Sequence, residues 1–329
     1  MSDTPTSVAA FAQADAMRLP FADDAFDLTF TSPPYMDART YGIDAQRDCA
    51  EWIDWMLGVV TECCRVTNGL VLVNCAGVTR DWQYWPGCEG LLYEWWKRGG
   101  GCWRPAYWHR VGIPGSGGKQ WLRADVEYVL AFQRDRGPIP WADNVANGHP
   151  PKWGPGGEMS HRLSSGTRVN QWGHPIDSGG VGGGDIDNPT CGPARPSHRI
   201  EKRVNRPNRS GRGERAVLGD EVQFYEPPAK ANPGTLVSVQ VGGGIMGDRI
   251  CHENEAPFPE ALAEWFIRGW CPPGGKVLDP FSGSGTTAAV AARLGRVGIG
   301  CDLRMSQCRL GQRRTAQVQT EMFTGSEAA

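Results

Sequence analysis

Glycine and proline are concentrated in one stretch of this chain, and their distribution limits the folds open to it. Residues 137–250 hold 34 of the 69 glycine and proline residues among 329. Because both residue types weaken helix and strand interiors, we expect regular structure on either side of this stretch and loops within it. The sequence therefore predicts two regular flanks, residues 1–136 and 251–329, around a loop-rich insert.

The flanks show strand and helix patterns in alternation. Short apolar runs predict strands at residues 27–31, 69–74, 125–132, 276–279 and 296–302, and helical spacing predicts helices at 48–66, 259–270, 286–294 and 305–315. Uninterrupted apolar runs are typical of strands buried on both faces of a parallel sheet. The predicted fold class is therefore α/β with a doubly wound parallel sheet.

The overall composition excludes several classes of protein. With 40% hydrophobic residues the chain is not wholly disordered. It has no run of about 18 apolar residues that could span a membrane. Its 34 basic and 36 acidic residues, net charge −2, disfavour a uniformly basic nucleic-acid coat. The 11 cysteines, an odd number without a secretory segment or metal-ligand spacing, indicate free thiols in the cytoplasm and no metal site.

One motif combines a strand end with a glycine-rich turn. Residues 279–287 read Asp-Pro-Phe-Ser-Gly-Ser-Gly-Thr-Thr and lie between an apolar strand and an alanine-rich helix. Glycines allow a ligand to approach the backbone closely, and free N–H groups at the helix start face that ligand. Asp302 ends the next strand, where a carboxylate can accept hydrogen bonds from ribose hydroxyls. This pattern favours a cofactor loop over the alternative, a tight turn of small residues, and it lacks the Gly-Lys-Ser/Thr of a phosphate-binding P-loop.

A second motif, Thr31-Ser32-Pro33-Pro34-Tyr35, also follows a predicted strand. Its two prolines remove two N–H donors and fix φ, so that the backbone carbonyls of the loop are held rigid. Such a loop can accept hydrogen bonds from an exocyclic amino group, with the Tyr35 ring available for stacking. The alternative is a proline pair that only terminates the strand.

Together the two motifs resemble those of S-adenosylmethionine-dependent DNA amino-methyltransferases of the restriction–modification type. Their order, with Ser-Pro-Pro-Tyr first and Asp-Pro-Phe-x-Gly-x-Gly last, resembles the beta arrangement of that family, a circular permutation of the class I, Rossmann-like methyltransferase order. The resemblance covers roughly residues 15–135 and 251–312. It implies S-adenosylmethionine as cofactor and the following cofactor-binding residues: Asp15, Phe258, Pro259, Asp279, Pro280, Phe281, Ser282, Gly283, Ser284, Gly285, Thr286 and Asp302.

The same resemblance assigns catalysis to Ser32, Pro33, Pro34 and Tyr35. Ser32 and the Pro33 carbonyl would accept the two N–H bonds of the target amine, and direct methyl transfer would depend on positioning and electrostatics. The target base would be flipped out of the duplex and stacked on Tyr35. A carbon-5 cytosine methyltransferase is excluded because the chain has no Pro-Cys nucleophile motif.

The residue before Pro-Pro-Tyr bears on the target base. In this family Ser-Pro-Pro-Tyr is commoner among N4-cytosine enzymes and Asp-Pro-Pro-Tyr among N6-adenine enzymes, so we expect cytosine N4, with adenine N6 as the alternative. Motif order and Ser32 disfavour a methyltransferase acting on RNA or protein amides. An inactive DNA-binding module is disfavoured because it would have no need of an intact cofactor loop.

The insert is the part of the chain in which no family resemblance is found. In relatives this stretch is the target-recognition region, and here residues 195–215 carry eight basic and two acidic residues. The basic run predicts contacts with phosphates, against the alternative of a solvated loop. The predicted partner is double-stranded DNA in a bacterial or phage-infected cell, and a homodimer or a cognate restriction endonuclease is left open. The candidate DNA-binding residues are Arg39, Arg195, Arg199, Lys202, Arg203, Arg206, Arg209 and Arg212.

Overall fold

A computed structural model describes residues 8–36, 47–112, 120–151, 160–162, 168–170, 228–241 and 257–325. Within these ranges the strands are β1 (Ala9–Gln13), β2 (Phe26–Thr31), β3 (Thr67–Cys75), β4 (Val78–Arg80), β5 (Gln83–Trp85), β6 (Gly101–Val111), β7 (Val126–Gln133), β8 (Ser160–Arg162), β9 (Arg168–Asn170), β10 (Leu236–Gln240), β11 (Lys276–Asp279) and β12 (Val297–Asp302). The helices are α1 (Cys49–Val66), α2 (Gly87–Lys97), α3 (Glu260–Trp270), α4 (Thr286–Arg293) and α5 (Met305–Gly325).

Eight of these strands form one sheet in the order β1-β12-β11-β2-β3-β7-β6-β10. Strand β7 runs antiparallel to its neighbours β3 and β6, and the other adjacent pairs are parallel. The predicted α/β class with a large, mostly parallel sheet is confirmed. The antiparallel strand departs from the all-parallel expectation, because an antiparallel pair such as β6 and β7 needs no crossover helix between its strands.

The centre of the sheet joins the two flanks of the chain. Strand β11 of the last flank pairs in parallel with β2 of the first, with Val277 opposite Leu28 and Leu278 opposite Thr29. On its other side β11 pairs in parallel with β12. Parallel strands end at the same edge of a sheet, so the two motifs predicted from sequence, which follow β2 and β11, lie next to each other.

Apolar side chains cover both faces of the sheet. On one face Trp52 and Met56 of α1 are fully buried, together with Leu91 of α2. On the other face α3 and α4 pack against the sheet, and the ring of Phe266 stacks on that of Phe30 with centroids 5.3 Å apart. Helices on both faces explain why the central strands read as continuous apolar runs.

The predicted insert contributes a strand to this sheet. Strand β10 lies within residues 137–250, yet it pairs in parallel with β6 at the sheet edge. The chain divides into one compact unit of residues 1–148 and 232–329 and another of residues 149–231, which contains the β8–β9 hairpin. The target-recognition role of residues 137–250 stays a prediction. No helix in the described ranges is long and apolar enough to cross a membrane.

Candidate functional site

Asp279 joins the two predicted motifs at the centre of the sheet. Its Oδ1 accepts a hydrogen bond of 2.6 Å from the Thr31 hydroxyl at the end of β2. Its Oδ2 accepts one of 2.8 Å from Thr287 in α4, and the Phe281 backbone N–H donates to Oδ1 at 3.1 Å. A single carboxylate therefore fixes the start of the glycine-rich loop against the residue that precedes Ser32.

The Asp279 carboxylate is almost completely buried, with 1% of its surface exposed. Burial raises its pKa to about 6, and the hydrogen bonds from Thr31, Thr287 and Phe281 offset part of that rise. Desolvation disfavours the charged form of a carboxyl group, whereas donors directed at it favour that form. Asp279 thus has a structural role in the loop, because both of its carboxylate oxygens accept hydrogen bonds from the protein itself.

The glycine-rich loop turns sharply between β11 and α4. Gly283 and Gly285 have φ of 48° and 79°, a region that side chains with a Cβ rarely adopt. Gly285 stands at the N-cap of α4, whose first residues are buried. On the next strand, a Cβ added to Gly300 would lie 2.6 Å from the Phe11 ring and 2.8 Å from Ser282 Cβ. The glycine-rich loop and β12 therefore pack so closely that a side chain at Gly300 would not fit.

Two acidic residues follow neighbouring strands beside this loop. Asp302 ends β12, and its carboxylate accepts from the backbone N–H groups of Gly283 at 3.2 Å and Arg304 at 2.9 Å. Asp15 follows β1, is exposed, and accepts from the Met17 backbone N–H at 2.9 Å. Because β1 and β12 are parallel neighbours, both carboxylates lie at the edge of the sheet that carries the loop.

A buried arginine on the last helix supports the other side of the loop. The Arg314 side chain in α5 is 1% exposed, and its guanidinium donates to Thr286 Oγ1 at 2.8 Å and to Ser284 Oγ at 3.3 Å. It also forms an ion pair with Glu260 at the start of α3, which Arg293 shares. Hydrogen bonds from these two arginines lower the pKa of Glu260, although burial opposes them.

The Ser-Pro-Pro-Tyr loop is held from both sides. The Trp52 indole N–H donates to the Pro34 carbonyl at 2.9 Å, and Trp52 itself is completely buried in α1. The Tyr35 hydroxyl donates to Glu127 Oε2 at 2.7 Å and lies 3.3 Å from Ser32 Oγ. Burial is the largest cause that raises the pKa of Tyr35, followed by the charge of Glu127.

Three polar residues behind Tyr35, two of them buried, form a network on β3, β6 and β7. Asn74 Nδ2 donates to the Tyr35 hydroxyl oxygen at 2.8 Å and to Glu127 Oε2 at 3.0 Å. The other oxygen of Glu127 is paired with Arg110 Nη1 at 2.9 Å. Glu127 is 5% exposed and Asn74 is 1% exposed. Buried charges of this kind persist when they are paired and hydrogen-bonded, so the network holds Tyr35 in one orientation.

A profile described as "DNA methylase", for N6 and N4 methyltransferases, matches residues 26–313. The chain belongs to the N6/N4 DNA methylase family. This membership confirms the resemblance drawn from the two motifs. The motif order of this DNA methylase, read as a circular permutation, stays an interpretation of the sequence.

The DNA methylase is similar to named relatives over different lengths. "Orphan methyltransferase M.BamHII" of Bacillus amyloliquefaciens is 43% identical over 67 residues, which are 20% of this chain and 25% of that protein. The match thus spans about a quarter of the curated relative. Among solved structures, "PvuII DNA methyltransferase (cytosine-N4-specific)" aligns with a TM-score of 0.58 at 17% identity, covering 97% of this chain and 94% of that one. "TTHA0409, putative DNA modification methylase" from Thermus thermophilus, complexed with S-adenosyl-L-methionine, aligns with a TM-score of 0.50 at 20% identity over 94% of each chain. At these identities the structural likeness concerns the fold.

The structure of this DNA methylase brings most of the sequence-predicted site residues to one edge of the sheet. Residues 32–35 lie beside the loop 279–286, with Asp302 and Asp15 after the adjacent strands. Phe258 packs edge-on against Phe30 with ring centroids 5.5 Å apart, and buried Pro259 precedes α3. The predicted DNA-binding residues lie outside the described residues: Arg39, Arg195, Arg199, Lys202, Arg203, Arg206, Arg209 and Arg212.

Four polar residues of the site were not singled out from sequence. Asn74, Arg110, Glu127 and Arg314 all make side-chain contacts with the predicted motifs or with each other. A polar residue inside an apolar strand, such as Glu127 in β7, is the sequence signal that could have identified them. Such residues are rarely buried without a partner. In the described part of the chain, no group of three or more His, Cys, Asp and Glu residues is arranged to hold a metal ion.

Proposed function

We propose that this DNA methylase transfers a methyl group from S-adenosylmethionine to the exocyclic amine of a base flipped out of double-stranded DNA, with cytosine N4 as the target. The observation that carries this proposal is the 2.6 Å hydrogen bond from Thr31 to Asp279. It joins the loop suited to an amine directly to the loop suited to a cofactor. Methyl transfer by direct displacement needs its two reactants side by side, and most of its catalysis then comes from positioning.

The residues beside Asp279 fit S-adenosylmethionine. Ser282 Oγ is buried and has no hydrogen-bond partner among the described residues, so it can form a hydrogen bond with a bound cofactor. When bound, the cofactor supplies a methyl group on a sulfonium centre. We assign the nucleoside to Asp302 and Asp15, the loop residues 279–286 to close backbone contact, and Phe258 and Pro259 to the methionine side. The carboxylates suit ribose hydroxyls and an adenine amine as hydrogen-bond donors.

The Ser-Pro-Pro-Tyr loop suits the target amine. The lone pair of an exocyclic amine is delocalised into the ring of the base, so acceptors for its two N–H groups favour the reactive, localised form. We assign these acceptors to Ser32 Oγ and the Pro33 carbonyl. The Pro34 carbonyl already accepts from Trp52, which fixes the loop and leaves the residues before it to meet the base. Flipping the base costs a few kcal/mol, which stacking on Tyr35 would offset.

The choice of cytosine N4 depends on Ser32 in the position where adenine enzymes of the family commonly have Asp. We further propose that the DNA methylase acts on a short recognition sequence read by residues 137–250. This activity belongs to restriction–modification chemistry in the cytoplasm of a bacterial or phage-infected cell. The test is expression in a host without DNA methylation, followed by single-molecule sequencing. It is expected to show N4-methylcytosine in one motif. Detection of N6-methyladenine instead would change the assigned target base from cytosine to adenine. Unmodified DNA together with methylated RNA or protein would overturn the proposal.

Ser32→Ala combined with Tyr35→Ala tests the site itself. Loss of an amine acceptor and of the stacking ring is expected to lower the methylation rate by at least about a hundredfold. Affinity for S-adenosylmethionine, measured by calorimetry, is expected to stay within about twofold, because the hydrogen bonds of both side chains go to Asn74, Glu127 and each other. Retained turnover in this variant would remove the Ser-Pro-Pro-Tyr loop from the reaction.

A further inference from the structure

A chain of hydrogen bonds leads from Ser32 into the sheet, and the direction of donation along it can be worked out. Glu127 Oε1 is paired with Arg110 at 2.9 Å, and an ionised carboxylate can only accept. The Tyr35 hydroxyl, 2.7 Å from Glu127 Oε2, must therefore donate its proton there. Burial holds the pKa of Tyr35 well above its ordinary value, so this phenol keeps its proton at neutral pH.

The Tyr35 hydroxyl in turn sets the orientation of the Ser32 hydroxyl. Since the Tyr35 hydroxyl has donated its one proton to Glu127, its oxygen can only accept, and it does so from Asn74 Nδ2 at 2.8 Å. The Ser32 hydroxyl, 3.3 Å away, is then the donor in its contact with Tyr35. Apart from a long contact of 3.5 Å with Asn74 Nδ2, the lone pairs of Ser32 Oγ are left to accept within the described structure. Ser32 is thus fixed as an acceptor for an N–H group.

We propose that Glu127 is the positioning residue that sets this polarity and the final acceptor of the proton released by the reaction. The inference rests on the proposed function, because methylation of an amine requires one proton to leave it. As the nitrogen gains its bond to the methyl carbon, the electron pair of the broken carbon–sulfur bond stays on sulfur. One amine proton passes to Ser32 Oγ, the Ser32 proton to Tyr35, and the Tyr35 proton to Glu127 Oε2. The amine ends neutral and Glu127 ends as a carboxylic acid.

Arg110 and Asn74 make this route selective for Glu127. Arg110 Nη1 is paired with one carboxylate oxygen, and Asn74 donates to both the Tyr35 hydroxyl and Glu127 Oε2, which lie 2.7 Å apart. Among the described residues, the Cys75 thiol on β3 also faces the network, and burial raises its pKa well above the ordinary value. A neutral buried thiol cannot take the proton in place of Glu127. The carboxylate is the one basic group on the route within the described residues.

Glu127→Gln is the decisive variant, and Glu89→Gln is its matched control. Glutamine keeps an acceptor oxygen at the position but cannot take up a proton. Glu89 on α2 likewise accepts hydrogen bonds from tyrosine hydroxyls, Tyr84 at 3.0 Å and Tyr128 at 2.9 Å, but does not contact Ser32 or Tyr35. The single-turnover rate is expected to fall by about a hundredfold in the Glu127 variant and to stay unchanged in the control. Calorimetric affinities for S-adenosylmethionine and for duplex DNA should stay within about twofold in both.

Two further readouts separate proton uptake from structural support. In Glu127→Ala, which leaves a cavity beside Arg110, formate should restore part of the rate, whereas in Glu127→Gln the side chain fills that space and formate should have no effect. Infrared difference spectra of a single turnover should show a new carboxylic-acid band in the wild type and in Glu89→Gln, and none in Glu127→Gln.

The outcomes are distinguishable. A Glu127→Gln enzyme with wild-type single-turnover rate would overturn the proposal, as would a Glu127→Ala enzyme that formate does not rescue. Failure of the proposed function would already be visible in the wild-type protein, which would bind DNA but methylate no base. The proposed proton relay would then be ruled out as well.

Discussion

At the scale of single residues, Asp279 links the geometry of the site to the stability of the fold. Burial raises its pKa to about 6, against an ordinary aspartate value of about 3.9. The folded state therefore holds this proton more tightly than the unfolded chain does. The contribution of this proton to the free energy of unfolding is fully present below about pH 4, and it is lost as the pH rises through about 6. Its upper bound is roughly 3 kcal/mol, since one pKa unit corresponds to about 1.4 kcal/mol.

Replacement of Asp279 by Asn removes this titration. The difference in free energy of unfolding between Asp279→Asn and the wild type should shift in favour of the variant as the pH rises from about 4 to about 6. Urea unfolding at a series of pH values measures that difference. A difference that stays constant across this window would show that another group, or no group, carries the pH dependence.

At the scale of helices and strands, apolar patterns predicted best the central strands of the sheet and the helices that cover them. Strand β11 has the bounds expected from sequence, and α1 differs by one residue at its start. Strand β6 was not predicted. It alternates irregularly between buried, half-buried and exposed residues, and its pairing with β7 is shifted between Trp103 and Ala106. Strands near a sheet edge lack the continuous apolar run that burial on both faces imposes.

The buried polar contacts of the site were beyond prediction for a different reason. The two motifs could be read because each is contiguous, so spacing along the chain carries the signal. Glu127 and Tyr35 are 92 residues apart, and Arg314 and Glu260 are 54 apart. Their roles depend on which elements the fold brings together. Arg314, for example, lies within α5, which ends at Gly325, and its side chain is buried against the glycine-rich loop.

Helix α5 is therefore expected to support the glycine-rich loop through Arg314. Arg314→Met would remove donors from Thr286 and Ser284 and leave Glu260 with one fewer partner, at a cost of about 3 kcal/mol in the free energy of unfolding. Affinity for S-adenosylmethionine should fall as the loop loses its support. The exposed Arg309 on the same helix is the matched control, and Arg309→Met should change neither quantity.

A double variant keeps this prediction testable if Arg314→Met alone fails to fold. Glu260→Gln combined with Arg314→Met removes both charges of the pair, which is commonly far less destabilising than the removal of one. Urea unfolding checks that the variant is folded, and calorimetry then measures its cofactor affinity. Wild-type affinity in the folded double variant would show that α5 contributes stability alone.

At the scale of the whole molecule, charge is divided between regions in a way that the net value of −2 conceals. Residues 1–136 carry a net charge of −4, whereas residues 195–215 carry +6. A net negative charge on residues 1–136 opposes the approach of the DNA backbone at long range, and a run of basic residues is expected to offset that repulsion. We therefore propose that target recognition and chemistry are separable by mutation, with affinity assigned to the basic segment and methyl transfer to the edge of the sheet.

Neutralising part of the basic segment tests that division. Removal of one phosphate-binding charge lowers the slope of log affinity against log salt by about 0.9. Replacing Arg199, Arg203 and Arg206 with Gln should therefore weaken DNA binding and reduce the slope by up to about 3, while cofactor affinity stays unchanged. Three exposed arginines outside the segment, Arg98, Arg268 and Arg309, serve as the equal-charge control. If the two triple variants change the slope alike, net charge rather than a defined phosphate contact attracts the DNA. If neither changes it, residues 195–215 are a solvated loop.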